Sequence, residues 1–385
     1  MNSLFQAESL LRSAADLSQG DDFGEPFFHE GLGVLLRAWE EEASLHPARA
    51  WRSCGSVVDM LVTRAQLAAR LRRRPEIAER PVSSPLIITG LPRTGTTMLH
   101  NVLARLPGFR AFSPWEMRFP VTPDDAGPDW SARQIARASE DIRALYQRVP
   151  GFDRIHKVEA EAPDECNWLF RHGFTTLVFA FMYRIPSYLR WVTSAPRHAA
   201  YADYRRQLQV LRARSPEGQL VLKDPCHLWH LDALLDTFPD AVVIQLHRDP
   251  AEAVSSLASL CHALQTMDSG HSDPAATGAY CVEMVDRGLP AMLRLRAERP
   301  QARFVDVEYR SLMRDPLGEI ERICEAVGRP LEERGALAVS NWLAANPHRP
   351  GGHRYRPEDF GLQGSALRER YADYVRRFDV QVARG

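Results

Sequence analysis

The 385-residue chain has no surplus of either charge: 48 lysines and arginines stand against 49 aspartates and glutamates, a net charge of −1. That balance excludes a general electrostatic grip on nucleic acid or an anionic membrane, so any basic site has to be local. The six cysteines, Cys54, Cys166, Cys226, Cys261, Cys281 and Cys324, include no C-x-x-C pair and no short-spaced framework. Reduced thiols in a cytoplasmic protein are the expectation. No apolar run approaches the roughly 20 residues of a spanning helix. The most apolar one, Phe174 to Tyr183, is followed at once by Arg184 and reads as a buried helix at the wall of a pocket. The stretch MNSLFQAESLLRSAADLSQGDDF has no cationic start leading into an apolar core, so no cleaved leader is expected. Internal repeats and low-complexity tracts are absent as well.

What is present is an alternation of two patterns. Over residues 1–80 the pattern is amphipathic helix, as in GLGVLLRAWEEEA and VVDMLVTRAQLAARLRRRPEI, which predicts a helical N-terminal extension packed on the core. The cluster Arg70, Arg72, Arg73 and Arg74 reads as a solvated helix end. From Pro85 onward, short Val/Ile/Leu-rich runs alternate with helical stretches: LIIT, QLVLKD, AVVIQLH and RFVDVEY. Such runs are buried parallel strands joined by right-handed helical crossovers, so residues 81–385 form an α/β domain around a central parallel sheet. Residues 115–216 read as a mostly helical insertion, placed where such insertions build the substrate side of a site. The basic segment NPHRPGGHRYRPEDFGL is loop-like; it either closes over an anion or is a surface connection.

Two segments carry phosphate chemistry. In PLIITGLPRTGTTMLHNVLARLPG, Gly90 and Gly95 permit a tight backbone path, and Gly95, Thr96 and Thr97 bring amides and hydroxyls to a helix N-terminus. The helix dipole favours an anion there. The loop lacks the lysine of G-x-x-x-x-G-K-[ST], with Thr96 in its place, so Arg93 is its only cation. A cradle of that kind suits a single 5′-phosphate better than a magnesium-bound triphosphate. In VVIQLHRDPAEAVSSLASL a strand ends at Arg248, Pro250 opens a helix, and Ser256 lies about two turns into it. An arginine and a serine so placed can hold another phosphate.

With both segments in this order, the chain resembles the sulfotransferases that use 3′-phosphoadenosine 5′-phosphosulfate (PAPS), with its closest likeness to the bacterial sulfotransferase family. The helical leader, GLPRTGTT, LLDTFPDAVVIQLHRDP and HRYRPEDFGL carry the likeness, from about Phe23 to Phe378. It implies a three-layer P-loop-like α/β fold. It also implies that Arg93, Thr94, Gly95, Thr96 and Thr97 bind the 5′-phosphosulfate and that Arg248 and Ser256 bind the 3′-phosphate. His353 and Tyr355 would lie in a terminal segment returning over the cofactor, although this tail departs from the R-K-G-x-x-G form of the cytosolic mammalian enzymes.

Chemical roles follow from the same resemblance. SPWEMRFP is similar to a segment of the tyrosylprotein sulfotransferases and implies Glu116 as general base; VLKDPCHLWHL shares their K-D-P context and implies Lys223 at the leaving oxygen, with Arg93 nearby. His227 is the alternative base, since cytosolic sulfotransferases use a histidine in an analogous region. His156, Glu161 and Glu165 in HKVEAEAPDECNWLF either face the acceptor or form a capped helix start. His227 and His230 find no further ligands, so no metal is expected.

The expected protein is a PAPS-dependent sulfotransferase acting by in-line transfer on a hydroxyl of a small acceptor. The apolar content of NWLFRHGFTTLVFAFMYRIPSYLRW favours an apolar acceptor over a charged glycan. Two alternatives stay open. A small-molecule kinase is disfavoured by the lysine-free loop, and a non-catalytic nucleotide-binding protein is disfavoured by Glu116 and Lys223.

Overall fold

The computed structural model describes residues 4–194, 197–347 and 356–382. Strands β1 (Leu86–Gly90), β2 (Phe109–Arg110), β3 (Gln219–Lys223), β4 (Val242–His247) and β5 (Arg303–Glu308) form one sheet in the order β2-β3-β1-β4-β5. Every pairing is parallel, and Leu86 stands opposite Val221 on one side and Val242 on the other. The four expected strands are present. The additional β2 is two residues long, too short for any periodicity to mark it.

β1 and β4 are buried along their whole length and β3 along most of its own, as a parallel sheet covered on both faces requires. Their side chains alternate between two cores. Leu86, Ile88, Val221 and Ile244 face one core, packed by helices Thr96–Leu103 and Pro316–Ala326. Ile87, Leu222 and Val243 face a larger core, packed by helices Pro250–Ser269 and Pro274–Glu298. The result is a three-layer α/β architecture.

The leader helices Ala7–Ser18, Phe28–Glu41 and Pro47–Arg73 enter the larger core through Leu10, Phe28, Leu35 and Leu61. Two features join them to the insertion. A Cβ on Gly31 would come within 2.7 Å of the Phe174 carbonyl oxygen, so only glycine allows that approach. The buried Arg64 guanidinium donates to the carbonyls of Phe23, Glu25 and His172 and pairs with Asp203 at 3.3 Å. A buried charge is tolerated only with such a full set of partners.

The apolar run Phe174 to Tyr183 is buried, but only Val178–Met182 is helical. Phe174 adopts a left-handed conformation, φ 54°, which stops a helix before it starts. The Tyr188 hydroxyl bonds to the carbonyls of Phe174 and Thr176, at 2.9 and 3.0 Å, and so serves backbone groups that a helix would have satisfied.

From β1 the chain crosses to β2 and β3 on one side and later returns to β4 on the other. Ligands of open α/β sheets bind at that reversal, in the crevice beyond the carboxyl ends of the strands. Among the described residues no helix is long and apolar enough to cross a membrane.

Candidate active site

Residues beyond the carboxyl ends of β1, β3, β4 and β5 line one cavity of about 1190 Å³. Pro92, Arg93, Gly95, Thr96 and Thr97 follow β1, Pro225 follows β3, Arg248 follows β4 and Tyr309 follows β5.

The loop after β1 depends on its backbone. A Cβ on Gly90, where φ is 146°, would come to 2.5 Å of the Leu246 carbonyl oxygen, so glycine alone lets β1 leave the sheet beside β4. Arg93 has φ 74°, a conformation that costs a non-glycine residue energy and is concentrated at functional loops. Gly95 caps helix Thr96–Leu103, whose first amides have no partner within the helix. Thr94 departs from the expected role. It is fully buried and its hydroxyl donates to the Leu91 carbonyl at 2.7 Å, so it shapes the loop and does not line the cavity.

Arg248 and Ser256 reach the same loop. The Arg248 guanidinium donates to the Arg93 carbonyl at 2.7 Å, and Arg93 Nε donates to Ser256 Oγ at 3.2 Å. Arg248 stacks on Tyr309 at 4.2 Å and pairs with Glu252 at 2.9 Å. Its backbone N–H donates to the Tyr374 hydroxyl, while Arg368 bonds to Asp249, the cap of helix Pro250–Ser269. Helices Gly364–Arg370 and Ala372–Arg377 therefore brace this segment. His353 and Tyr355 lie outside the described residues.

Lys223, at the end of β3, is fully buried, and its Nζ donates to Glu165 Oε1 at 2.8 Å and to Thr97 Oγ1 at 3.4 Å. A loop without its own lysine thus receives one from the neighbouring strand. Asn167 donates to the other Glu165 oxygen at 2.9 Å. Burial works to raise the Glu165 pKa, but the charges of Lys223 and His156 and the bonds from Lys223 and Asn167 outweigh it and hold the carboxyl at about 2. The His156 imidazole is shifted down, because burial outweighs the attraction of Glu165 and Asp164. Glu165 and His156 both line the cavity, whereas Glu161 is exposed and does not.

Glu116 and His227 stand elsewhere. Glu116 Oε2 accepts from the Ser113 amide at 3.0 Å and the Ser113 hydroxyl at 2.9 Å; Oε1 accepts from Arg110 and, at 3.3 Å, from Arg214. Its carboxylate is consumed in capping helix Pro114–Arg118 and holding two arginines, and it is not among the cavity-lining residues. The 3-10 turn Pro225–His230 carries the His227 ring into an aromatic nest of Phe170, Tyr201 and Tyr204, where Nδ1 lies 2.8 Å from the Tyr201 hydroxyl. Burial pushes His227 down to about 3, so it stays neutral at ordinary pH, away from the main cavity.

The remaining wall is largely apolar and includes Val62, Ile142, Leu145, Trp168, Phe181 and Leu264. Among the described residues, no group of three or more His, Cys, Asp or Glu side chains could hold a metal ion. Tyr309 is the site residue with no motif behind it. Its one signal is position, directly after RFVDVE at the carboxyl end of a parallel strand.

A parallel sheet with a glycine-bounded loop leading into a helix at its reversal point, and a buried lysine beside that loop, is the architecture of a P-loop-like fold. The model of the Sulfotransferase family matches residues 85–333, and the chain belongs to that family. The fold is similar to the crystal structure of sulfotransferase STF9 from Mycobacterium avium, with a TM-score of 0.89 and 28% identity over 99% of both chains. It is also similar to that of STF1 from Mycobacterium tuberculosis, with a TM-score of 0.83 and 30% identity over 96% of this chain and 98% of that one. In sequence it is 25% identical over 349 residues to the omega-hydroxy-beta-dihydromenaquinone-9 sulfotransferase Stf3 of Mycobacterium bovis, covering 83% of this chain and 82% of that one.

Proposed function

We propose that the sulfuryl donor is PAPS, that the acceptor is a hydroxyl of an apolar small molecule, and that Glu165 takes the hydroxyl proton. The observation that carries this reading is the position of Lys223 Nζ, shared between Thr97 of the phosphate loop and Glu165. PAPS would supply an activated sulfuryl group on a phosphate leaving group. Arg93, Arg248 and Ser256 form one hydrogen-bonded cationic cluster against the loop, which suits a donor carrying more than one anionic group. The free amides of helix Thr96–Leu103 and the hydroxyls of Thr96 and Thr97 suit the phosphosulfate.

The chain's work is positioning and charge stabilisation. Lys223 neutralises the charge that develops on the leaving oxygen. As its ammonium turns toward that oxygen it loosens its hold on Glu165, whose proton affinity rises at the moment a proton must be accepted. The proton passes to Glu165, the acceptor oxygen bonds to sulfur, and the bond from sulfur to the 5′-phosphate oxygen breaks. The role expected of Glu116 thus passes to a carboxylate in contact with the lysine.

The apolar wall supports a hydroxyl on an apolar molecule, and Stf3 is named for an omega-hydroxylated dihydromenaquinone. All six cysteines are unpaired thiols, which supports a reducing, cytoplasmic location. Mass spectrometry of an alcohol panel incubated with PAPS, and separately with ATP, tests the reading. Gain of sulfate is expected; gain of phosphate from ATP would make the protein a kinase, and no product from either would leave it a nucleotide-binding protein.

A further inference from the structure

Asn167 and Arg171 stand at i and i+4 of the short helix Asn167–Arg171, so they share one face of it, and both line the cavity. Asn167 bridges two charged groups. Its Nδ2 donates to Glu165 Oε2 at 2.9 Å, and its Oδ1 accepts from Arg171 Nε at 3.1 Å. One amide therefore separates the Arg171 guanidinium from the carboxylate proposed as the base.

The guanidinium lies over the Trp168 ring, 4.1 Å from its centroid, with Arg118 at 5.4 Å from the same centroid. Other arginines of the cavity wall have carboxylate partners: Arg118 pairs with Asp141, Arg137 with Asp59 and Arg248 with Glu252. Half-buried Arg171 has, among the described residues, the Asn167 bond and no ion pair. Asp164 and Glu165 act on it only through their charge, since Asp164 accepts from Trp168 Nε1 and Glu165 from Lys223. Burial and then the Arg118 charge lower the Arg171 pKa to about 10, against the pull of Asp164 and Glu165, so it stays charged at neutral pH. A shielded cation is costly until an anion joins it, and the guanidinium fork fits the two oxygens of a carboxylate.

We propose that Arg171 recognises the acceptor and that the acceptor is a hydroxy acid, an apolar body whose carboxylate is held by Arg171 while its hydroxyl meets Glu165. The inference rests on the sulfuryl-transfer reading of the same cavity and narrows its acceptor from an apolar alcohol to an apolar hydroxy acid. Because one asparagine side chain spans the two protein groups, the hydroxyl and the carboxylate lie close together on the acceptor. A neutral alcohol would leave the guanidinium without its partner, and that is the basis of discrimination.

The test takes meta- and para-hydroxybenzoate and para-hydroxyphenylacetate, each beside its primary amide, with PAPS as donor. The best acid should exceed its amide in kcat/KM by about tenfold or more. Arg171→Gln should abolish that preference, and Arg171→Lys, which keeps the charge without the fork, should restore part of it. Calorimetry with adenosine 3′,5′-bisphosphate should show similar donor affinity in the wild type and both variants. Amides that match their acids in the wild type, or a preference untouched by Arg171→Gln, overturn the proposal. So does a loss of donor affinity as large as the loss of turnover, which would make Arg171 part of the donor site. Sulfation of neutral alcohols with none of the acids accepted overturns it as well. Should no alcohol of any kind accept sulfate, the sulfuryl-transfer reading fails by itself, and calorimetric binding of each acid and its amide to the wild type and Arg171→Gln decides the role of Arg171 by the same preference.

Discussion

Lys223 Nζ lies 2.8 Å from Glu165 Oε1, and the lysine is completely buried. The pair therefore interacts where water dilutes its attraction least. It also stands against the loop after β1 through Thr97, so on the proposed reading an anion bound there would compete with Glu165 for one ammonium. Glu165→Gln keeps the size of the side chain and can still accept from Asn167, but it removes the basic carboxylate. Turnover should fall by about 100-fold or more with donor affinity nearly intact. Steady-state rates with calorimetry of the donor product check this; near-normal turnover in the folded variant would remove Glu165 from the chemistry.

The same pair predicts a stability effect. Lys223→Met leaves the largely buried Glu165 without its main counterion, a loss of about 3 kcal/mol, the lower end for broken buried pairs because Glu165 keeps some access to the cavity. The double variant Lys223→Met, Glu165→Gln should recover much of that loss in urea unfolding while remaining inactive. A double variant as unstable as Lys223→Met alone would show that the two groups are not energetically coupled.

Arg248 offers a test of the donor. If it and Ser256 read a 3′-phosphate, Arg248→Ala should weaken PAPS far more than adenosine 5′-phosphosulfate, which has no such group. The selective loss should be about 2 kcal/mol or more, as for a charge-assisted contact shielded from water. Calorimetric titration of both nucleotides separates this from a folding defect, which would weaken both alike.

Much of this site is legible in the sequence where the contacts are local. Gly90 to Thr97 and Arg248 to Ser256 are short spacings on strand ends and helix starts, and such spacings survive folding unchanged. The bond between Lys223 and Glu165 spans 58 positions, and no periodicity encodes it; the segment HKVEAEAPDECNWLF therefore leaves the role of Glu165 open. Glu116 shows the opposite difficulty. The letters S-P-W-E suit a catalytic glutamate, yet they also spell a capping box, and the local explanation is the one the structure contains. His227 is two residues from the cavity-lining Pro225, but the 3-10 segment that begins there decides which way its ring points.

Glu165 also predicts a pH dependence of stability. Its folded pKa, about 2, lies below the ordinary 4.5, so ionised Glu165 stabilises the native state. That contribution is complete above about 4.5 and is lost as the pH falls toward 2. The difference in unfolding free energy between the wild type and Glu165→Gln should therefore shrink on going from neutrality to about pH 3. A difference that stays constant over this range would mean that Glu165 is not held down in the folded protein.

Glu116 provides the comparison that separates structure from chemistry. Glu116→Gln keeps one oxygen for the Ser113 cap but loses the charge that holds Arg110 and Arg214, both partly buried. The expected cost is about 1–3 kcal/mol of stability, with turnover below the unfolding transition within a few-fold of wild type. Glu165→Gln should show the reverse balance, with the larger loss in turnover. His227→Ala should resemble Glu116→Gln, since it removes a neutral imidazole from an aromatic nest and leaves the Tyr201 hydroxyl without its partner. Thermal melts paired with rates for the three variants decide the assignment. A Glu116→Gln protein that melts like wild type but does not turn over would return the base to Glu116, and the ion pair of Lys223 with Glu165 would then be a purely structural clamp behind the phosphate loop.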